Sequence, residues 1–323
     1  MTSTSPSSSS YLVCNTCGTQ HPTADRTALT TCFICDDPRQ YTPPSGQSFT
    51  TLSALRSSSS PRYTNKLHPF PRGNDHDDND NNDRFTSIAT HPKFAIGQRA
   101  VLLRTPHGNV LWDCVTFLDD ETVASLEARG GVQAMVISHP HFYSAHLEWA
   151  ERFGCPVYLA AEDKGWLARR DGGGRQVFLE GVETRIEVGG RDTGVRVVKL
   201  GGHFPGSLVL LYDGHLFTAD TLMMTPAGRS NWSVDALGNP RERPKGVNTF
   251  SFLWSIPNMI PLSADEIARM WNILRNYDFT SAHGLFLGWD IYDENIKARV
   301  LESMQIQIRA MGHVEHPLLE ATL

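Results

Sequence analysis

The chain has 323 residues, 40% of them hydrophobic, and a formal net charge of −6, which is enough apolar material for one large core or two smaller ones. The mild acidic balance argues against an electrostatic grip on nucleic acid, and no apolar run approaches the roughly 20 residues of a membrane span. Four of the six cysteines stand in paired Cys-x-x-Cys spacing, which points to metal binding in a reducing compartment rather than a disulfide framework. Cytoplasm is the expected location, with the nucleus left open.

Residues 1–10 are rich in serine and lack both basic residues and an apolar stretch. They read as a flexible tail, not a secretory signal. Residues 11–52 form the first unit. Cys14-Asn-Thr-Cys17 and Cys32-Phe-Ile-Cys35 are two hairpin-like pairs separated by fourteen residues, a spacing that closes a four-sulfur tetrahedron. So short a segment has no adequate core of its own, and a metal supplies its folding energy. A site filled by four thiolates is structural. Zinc is the expected ion, or iron, because the arrangement also resembles rubredoxin. A redox dithiol pair or two disulfides are the alternatives.

Residues 53–90 read as a disordered linker. Ser57–Ser60 is a serine run, prolines follow at 61, 69 and 71, and 74–83 contain only Asp, Asn and His. Such a stretch does not offset the entropy of ordering. It lacks the glycine and the closing glutamate of a calcium loop.

Residues 91–312 alternate strands and helices, as a layered α/β domain requires. Phe94–Arg104 and Asn109–Cys114 are strands about a turn carrying His107, an exposed position, and Cys114 ends a buried run. Asp120–Arg129 is a helix closed by Gly130-Gly131. The apolar run Val132–Ile137 then leads into His139-Pro-His141, followed by a helix over Leu147–Phe153 and a strand over Pro156–Ala160. Thr184–Val188 and Val195–Leu200 read as a hairpin ending at Gly201-Gly202-His203-Phe-Pro-Gly-Ser207. Leu208–Tyr212 and Leu216–Ala219 read as another, over the Asp213-Gly214 turn. It begins near an exposed His215 and ends at Asp220. Phe250–Ile260 is either core packing or an apolar wall of a cleft. Ser263 and Glu266 form a capping box for a helix whose inner face is Ile267, Met270, Trp271 and Leu274. His283 follows on a short strand. Ile296–Met311 is the last helix, and 313–323 read as a tail with His313 and His316 exposed.

Three histidines and a carboxylate, each at the end of a strand-like segment, are placed to converge in one cleft. Neutral imidazole is a good ligand for zinc or iron. The motifs His139-x-His141, Gly202-His203-x-Pro-Gly-Ser207 and strand-Asp220, over roughly 94–310, resemble those of the metallo-beta-lactamase-like hydrolases. That resemblance implies a four-layer αββα sandwich and a first metal position made by His139, His141 and His203. It also implies Asp220 as a further metal ligand or water-orienting group, and His283 as a late ligand or support. Where the family carries Asp-His, this chain has Tyr143-Ser144, poor zinc ligands, so one metal is expected there and a damaged second position. Tyr143 is then expected to face the cleft, where its phenol meets a substrate oxygen or a metal-bound water, with plain packing as the alternative. His146 is an ordinary helix residue or a substitute ligand. With the Cys14, Cys17, Cys32, Cys35 knuckle, the likeness extends over nearly the whole chain, to a subgroup in which such a knuckle precedes the hydrolase-like domain. The implied activity is metal-dependent hydrolysis of a small ester, thioester or lactone, with Asp220, Tyr143 and His283 as catalytic candidates. A metal-stabilised binding protein with a decayed cleft, and an RNA-processing relative, are the alternatives. The last is disfavoured by the lack of a basic, aromatic-rich stripe.

Overall fold

The structure, a computed structural model, describes residues 7–70 and 84–323. The knuckle opens with β1 (Leu12–Cys14), paired antiparallel to β2 (Phe49–Thr51). Helix α1 (Leu52–Ser57) follows, its first turn capped by the Thr51 side chain, which accepts the Ala54 N–H. Val13, Leu52 and Leu55 pack on Phe117 and Ala145, so the knuckle sits directly against the large domain.

The first sheet runs in the order β3 (Thr64–Pro69), β4 (Phe85–His91), β5 (Ala100–Leu103), β6 (Val110–Trp112), β7 (Ala134–Val136), β8 (Val157–Ala160), β9 (Gln176–Leu179). Helices α2 (Asp120–Glu127) and α3 (His146–Phe153) cover its outer side. The second sheet is built from β10 (Glu183–Val188), β11 (Arg191–Lys199), β12 (Leu208–Tyr212) and β13 (His215–Phe217). Two short pairs follow: β14 (Met223–Met224) with β15 (Phe250–Ser251), and β16 (Leu253–Ser255) with β17 (Ile260–Pro261). After α4 (Ala264–Leu274), β18 (Ser281–His283) joins β13 in parallel, β19 (Asp290–Tyr292) closes that sheet, and α5 (Ile296–Ala310) ends the domain.

Side-chain alternation shows why these strands stack as two layers. Val101 and Leu103 face the second sheet, while Ala100 and Leu102 face α2 and α3. On β12, Leu208 and Leu210 face the first sheet, and Val209 and Leu211 lie under α4 and α5. A strand that is apolar on both faces requires cover on both sides. The result is the αββα sandwich expected from the sequence.

The linker expectation is corrected at its ends. Residues 53–90 include most of α1, all of β3 and all of β4 but His91, and every residue of β4 but that last one is buried. Phe85-Thr-Ser-Ile-Ala-Thr-His91 is a central strand that the polar run before it conceals. The Asn/Asp stretch 74–83 lies outside the described residues, as do 1–6. The 313–323 tail is corrected too. Leu318 and Leu319 are buried against α5, and the Gln305 side chain donates to the carbonyls of Leu318, Leu319 and Ala321. At the other end, Ser8–Ser10 form a short turn whose Ser8 carbonyl accepts from Gln20. No described helix is long and apolar enough to cross a membrane.

Candidate metal centre

Strand β7 delivers the first two histidines. The Ser138 N–H donates to Asp113 Oδ1 (2.7 Å) at the end of β6. The Ser138 carbonyl accepts the Leu208 N–H (2.9 Å), which ties this loop to the one carrying His203. Burial pushes the Asp113 carboxyl up to about 7. His139 Nδ1 lies 2.8 Å from Ser138 Oγ, leaving Nε2 to face inward. A short turn over Pro140–Phe142 then swings His141 so that its Nδ1 faces the same point.

His203 sits beyond β11 on a turn that needs glycine. Gly202 has φ +85°, and a Cβ there would come within 2.6 Å of Thr221 Oγ1. The Gly202 N–H donates to Glu266 Oε1 (2.9 Å), and the Arg269 guanidinium donates to the Leu200 carbonyl. Ser207 Oγ accepts the Phe204 N–H (2.9 Å) and so closes the turn. His203 Nδ1 donates to the Leu253 carbonyl (3.2 Å), so Nε2 carries the free lone pair.

Four atoms meet here. Asp220 Oδ2 is 3.1 Å from His139 Nε2, 3.4 Å from His141 Nδ1 and 3.5 Å from His203 Nε2. His203 Nε2 is 3.2 Å from His141 Nδ1. Four ligands about 2.0–2.1 Å from a tetrahedral centre stand roughly 3.3–3.4 Å apart, so these spacings fit an ion of zinc size. Protonation fits as well. Burial depresses His141, and depresses His203 to about 3, keeping both imidazoles neutral. Burial raises the Asp220 carboxyl, but the neighbouring imidazoles outweigh it and hold the group well below the usual carboxylate range. His141 Nε2 is buried with no partner among the described residues.

The second cluster is the knuckle. Cys14, Cys17, Cys32 and Cys35 are free thiols, with Cys14 and Cys35 sulfurs 3.6 Å apart and Cys17 and Cys32 sulfurs 3.7 Å apart. Arms of about 2.3 Å give tetrahedral edges of roughly 3.8 Å, so this donor set also fits its ion.

Other expected site residues lie elsewhere. The Tyr143 hydroxyl donates to the Asp163 carbonyl (3.4 Å), and burial among apolar neighbours keeps it protonated. Ser144 Oγ accepts from Gln98. Neither side chain joins the four-atom cluster, so no second ion position is built from them. His146 is buried between the Tyr143 carbonyl and Gln176 and serves α3. His283 is a correction. Its Nδ1 bonds Asp290 (2.8 Å), its Nε2 faces His215 (2.9 Å), and Phe70, Phe85 and Phe217 surround it. His215 is correspondingly half-buried rather than exposed. Arg99 pairs with Asp290 at 2.6 Å, both nearly inaccessible, so this is a buried polar lock at the base of β18. Asp290→Ala is expected to strand the Arg99 charge and cost about 3–5 kcal/mol in thermal unfolding. His283→Ala should leave the ion content of both clusters unchanged by elemental analysis.

Sequence reasoning missed four supports: Asp113, Leu253, Glu266 and Arg39. Asp113 had a signal, an aspartate at a strand end like Asp220. Glu266 does follow a capping Ser263, whose Oγ accepts its N–H (3.3 Å), but its carboxylate turns to Gly202 and Arg269 rather than back to the cap. Leu253 acts through its backbone. Arg39 is held by contacts that no spacing reveals.

The family model described as the metallo-beta-lactamase superfamily matches residues 95–257. A Bacillus subtilis (strain 168) protein, described as uncharacterized protein YmaE, is 34% identical over 309 residues, covering 94% of this chain and 97% of its own. Among solved structures, a flavo di-iron protein variant from Thermotoga maritima aligns at 11% identity and a TM-score of 0.48, covering 75% of this chain and 62% of that one. A metallo-beta-lactamase from Pontibacter korlensis aligns at 15% identity and 0.44, covering 74% and 99%.

Proposed function

The chain belongs to the metallo-beta-lactamase superfamily, and from that premise we propose that it is a metal-dependent hydrolase of a small carbonyl substrate, an ester, thioester or lactone. The observation that carries this reading is the convergence of three imidazoles and one carboxylate at tetrahedral spacing. An ion there, zinc or iron, would supply Lewis acidity, activating water at neutral pH and polarising a carbonyl. The protein's own part is positioning. His139 is fixed from behind by Ser138 Oγ and His203 by the Leu253 carbonyl, so each turns its Nε2 toward the cluster. Asp220 is the most exposed of the four, at 7% against 2% or less. It is therefore the corner nearest solvent, where its carboxylate would help hold the ion or orient a water beside it. Phe204 and Phe142 pack against the histidine rings and exclude bulk water behind them.

A second reading has its own observation. Four protein ligands in a buried tetrahedron describe a closed centre, which is the mark of a structural rather than a catalytic ion. In that reading the domain is a metal-stabilised binding protein. A panel of thioesters, esters and lactones separates the two. Ion-loaded protein is expected to hydrolyse at least one class, to lose the activity with a chelator and to regain it on reloading. Inertness across the panel at full ion occupancy would leave the closed-centre reading standing.

A further inference from the structure

We propose that the four-cysteine knuckle is a positioning element for the histidine centre, and that Arg39 is its point of action. This rests on the reading that His139, His141, His203 and Asp220 hold an ion, and not on hydrolysis.

The Cys32–Cys35 turn is closed by N–H groups of Cys35 and Asp36 donating to the Cys32 carbonyl, and the chain leaves it as Asp36-Asp37-Pro38-Arg39. Asp37 stiffens this arm. Its carboxylate accepts Arg39 Nε (2.7 Å) and Nη2 (2.9 Å) and also the Arg39 backbone N–H (2.9 Å). A bidentate pair of this kind fixes the plane of the guanidinium as well as its place. The remaining donor, Nη1, reaches the His203 carbonyl at 3.2 Å. The guanidinium carbon lies 3.8 Å from the Phe204 ring centre, with Trp166 and Trp254 at 5.1 and 5.7 Å. Aromatic faces on several sides favour a cation there.

A second route runs through Pro38. Its carbonyl accepts from Ser255 Oγ (2.6 Å) and Asn258 Nδ2 (2.9 Å). Ser255 ends β16, the strand whose Leu253 carbonyl holds His203 Nδ1. A third contact is apolar. Phe33, between the two cysteines of its pair, stacks on Trp166, which meets Phe204 edge-on at 5.5 Å. Two hydrogen bonds that orient His203, one at its carbonyl and one at its ring, therefore lead back to the same short arm. That arm keeps its shape only while the cysteines are gathered, so the cysteine-bound ion sets the geometry of the other.

The test is a cobalt(II) titration of the full chain carrying zinc at the cysteines, followed by visible absorption of the histidine centre. Arg39→Ala is expected to weaken cobalt binding about 10–100-fold, the usual effect of losing a contact behind a ligand, and to change the band shape. Arg169→Ala is the control. Arg169 also fastens the knuckle, through Gln20, Glu148 and the Tyr11 ring, but touches no ligand loop. It should lower thermal stability and leave the titration unchanged. Asp37→Asn, which loosens the brace without removing the cation, should move the affinity in the same direction, and serves if Arg39→Ala does not fold. Equal effects of the Arg39 and Arg169 changes, or none from Arg39 and Asp37, overturn the proposal. Absence of cobalt binding by the unaltered chain would instead remove the reading beneath it.

Discussion

Replacing His203 with alanine is expected to abolish ion binding at the histidine centre, and to lower any hydrolytic rate on the order of 10³-fold or more. Polarisation by a bound ion is worth several kcal/mol in a transition state, and about 1.4 kcal/mol is a factor of ten. Two imidazoles and one carboxylate would remain, one protein ligand short of the four that now converge, and Asp220 would lose one of the groups that keeps it ionised. The Leu253 carbonyl would also lose its donor. Elemental analysis should find the ions per chain falling from about two to about one, with the cysteine-bound ion retained. His203→Ala protein that keeps both ions would show that the cluster does not hold one.

Removing the other ion should act on folding. Cys14→Ser is expected to unfold the knuckle while leaving the sandwich intact. Ions in comparable small sites contribute about 10–16 kcal/mol of binding free energy in isolated peptides. Only Val13, Leu52, Leu55 and Ile34, with the thiols themselves, are buried hydrophobics within the knuckle and α1, besides Leu12 at its edge. Limited proteolysis should cut between residues 11 and 51 in the variant and spare the same region in the unaltered chain. At saturating metal the histidine centre should still fill, with lower affinity. Knuckle cleavage at equal rates in both proteins would show that the cysteines hold no stabilising ion.

The ligands were legible in the sequence because each comes with its own turn. His139 and His141 follow an apolar strand, His203 stands between glycines that the turn needs, and Asp220 follows a strand end. What lies behind them was not legible. Arg39 and His203 are 164 positions apart, Glu266 and Gly202 64, and Leu253 and His203 50. Such contacts exist only once the layers have packed, and no local pattern encodes them. His283 misled for a related reason. It stands at a strand end as a ligand would, but the strand pairs with β13 so that it lies opposite Phe217, three residues before Asp220, and the ring turns to Asp290. Strand β4 was lost because composition averaged over a window mixes a buried strand with the polar run beside it.

The donors stand on segments that follow β7, β11 and β13, whereas the packed interior is made by the strands themselves. Changes in those segments therefore alter reactivity while asking less of the scaffold than changes in the strands would. Descendants of such an architecture are free to drop, regain or redirect chemistry one loop at a time, and an inactive copy would persist as a well-folded protein rather than being cleared as a damaged one.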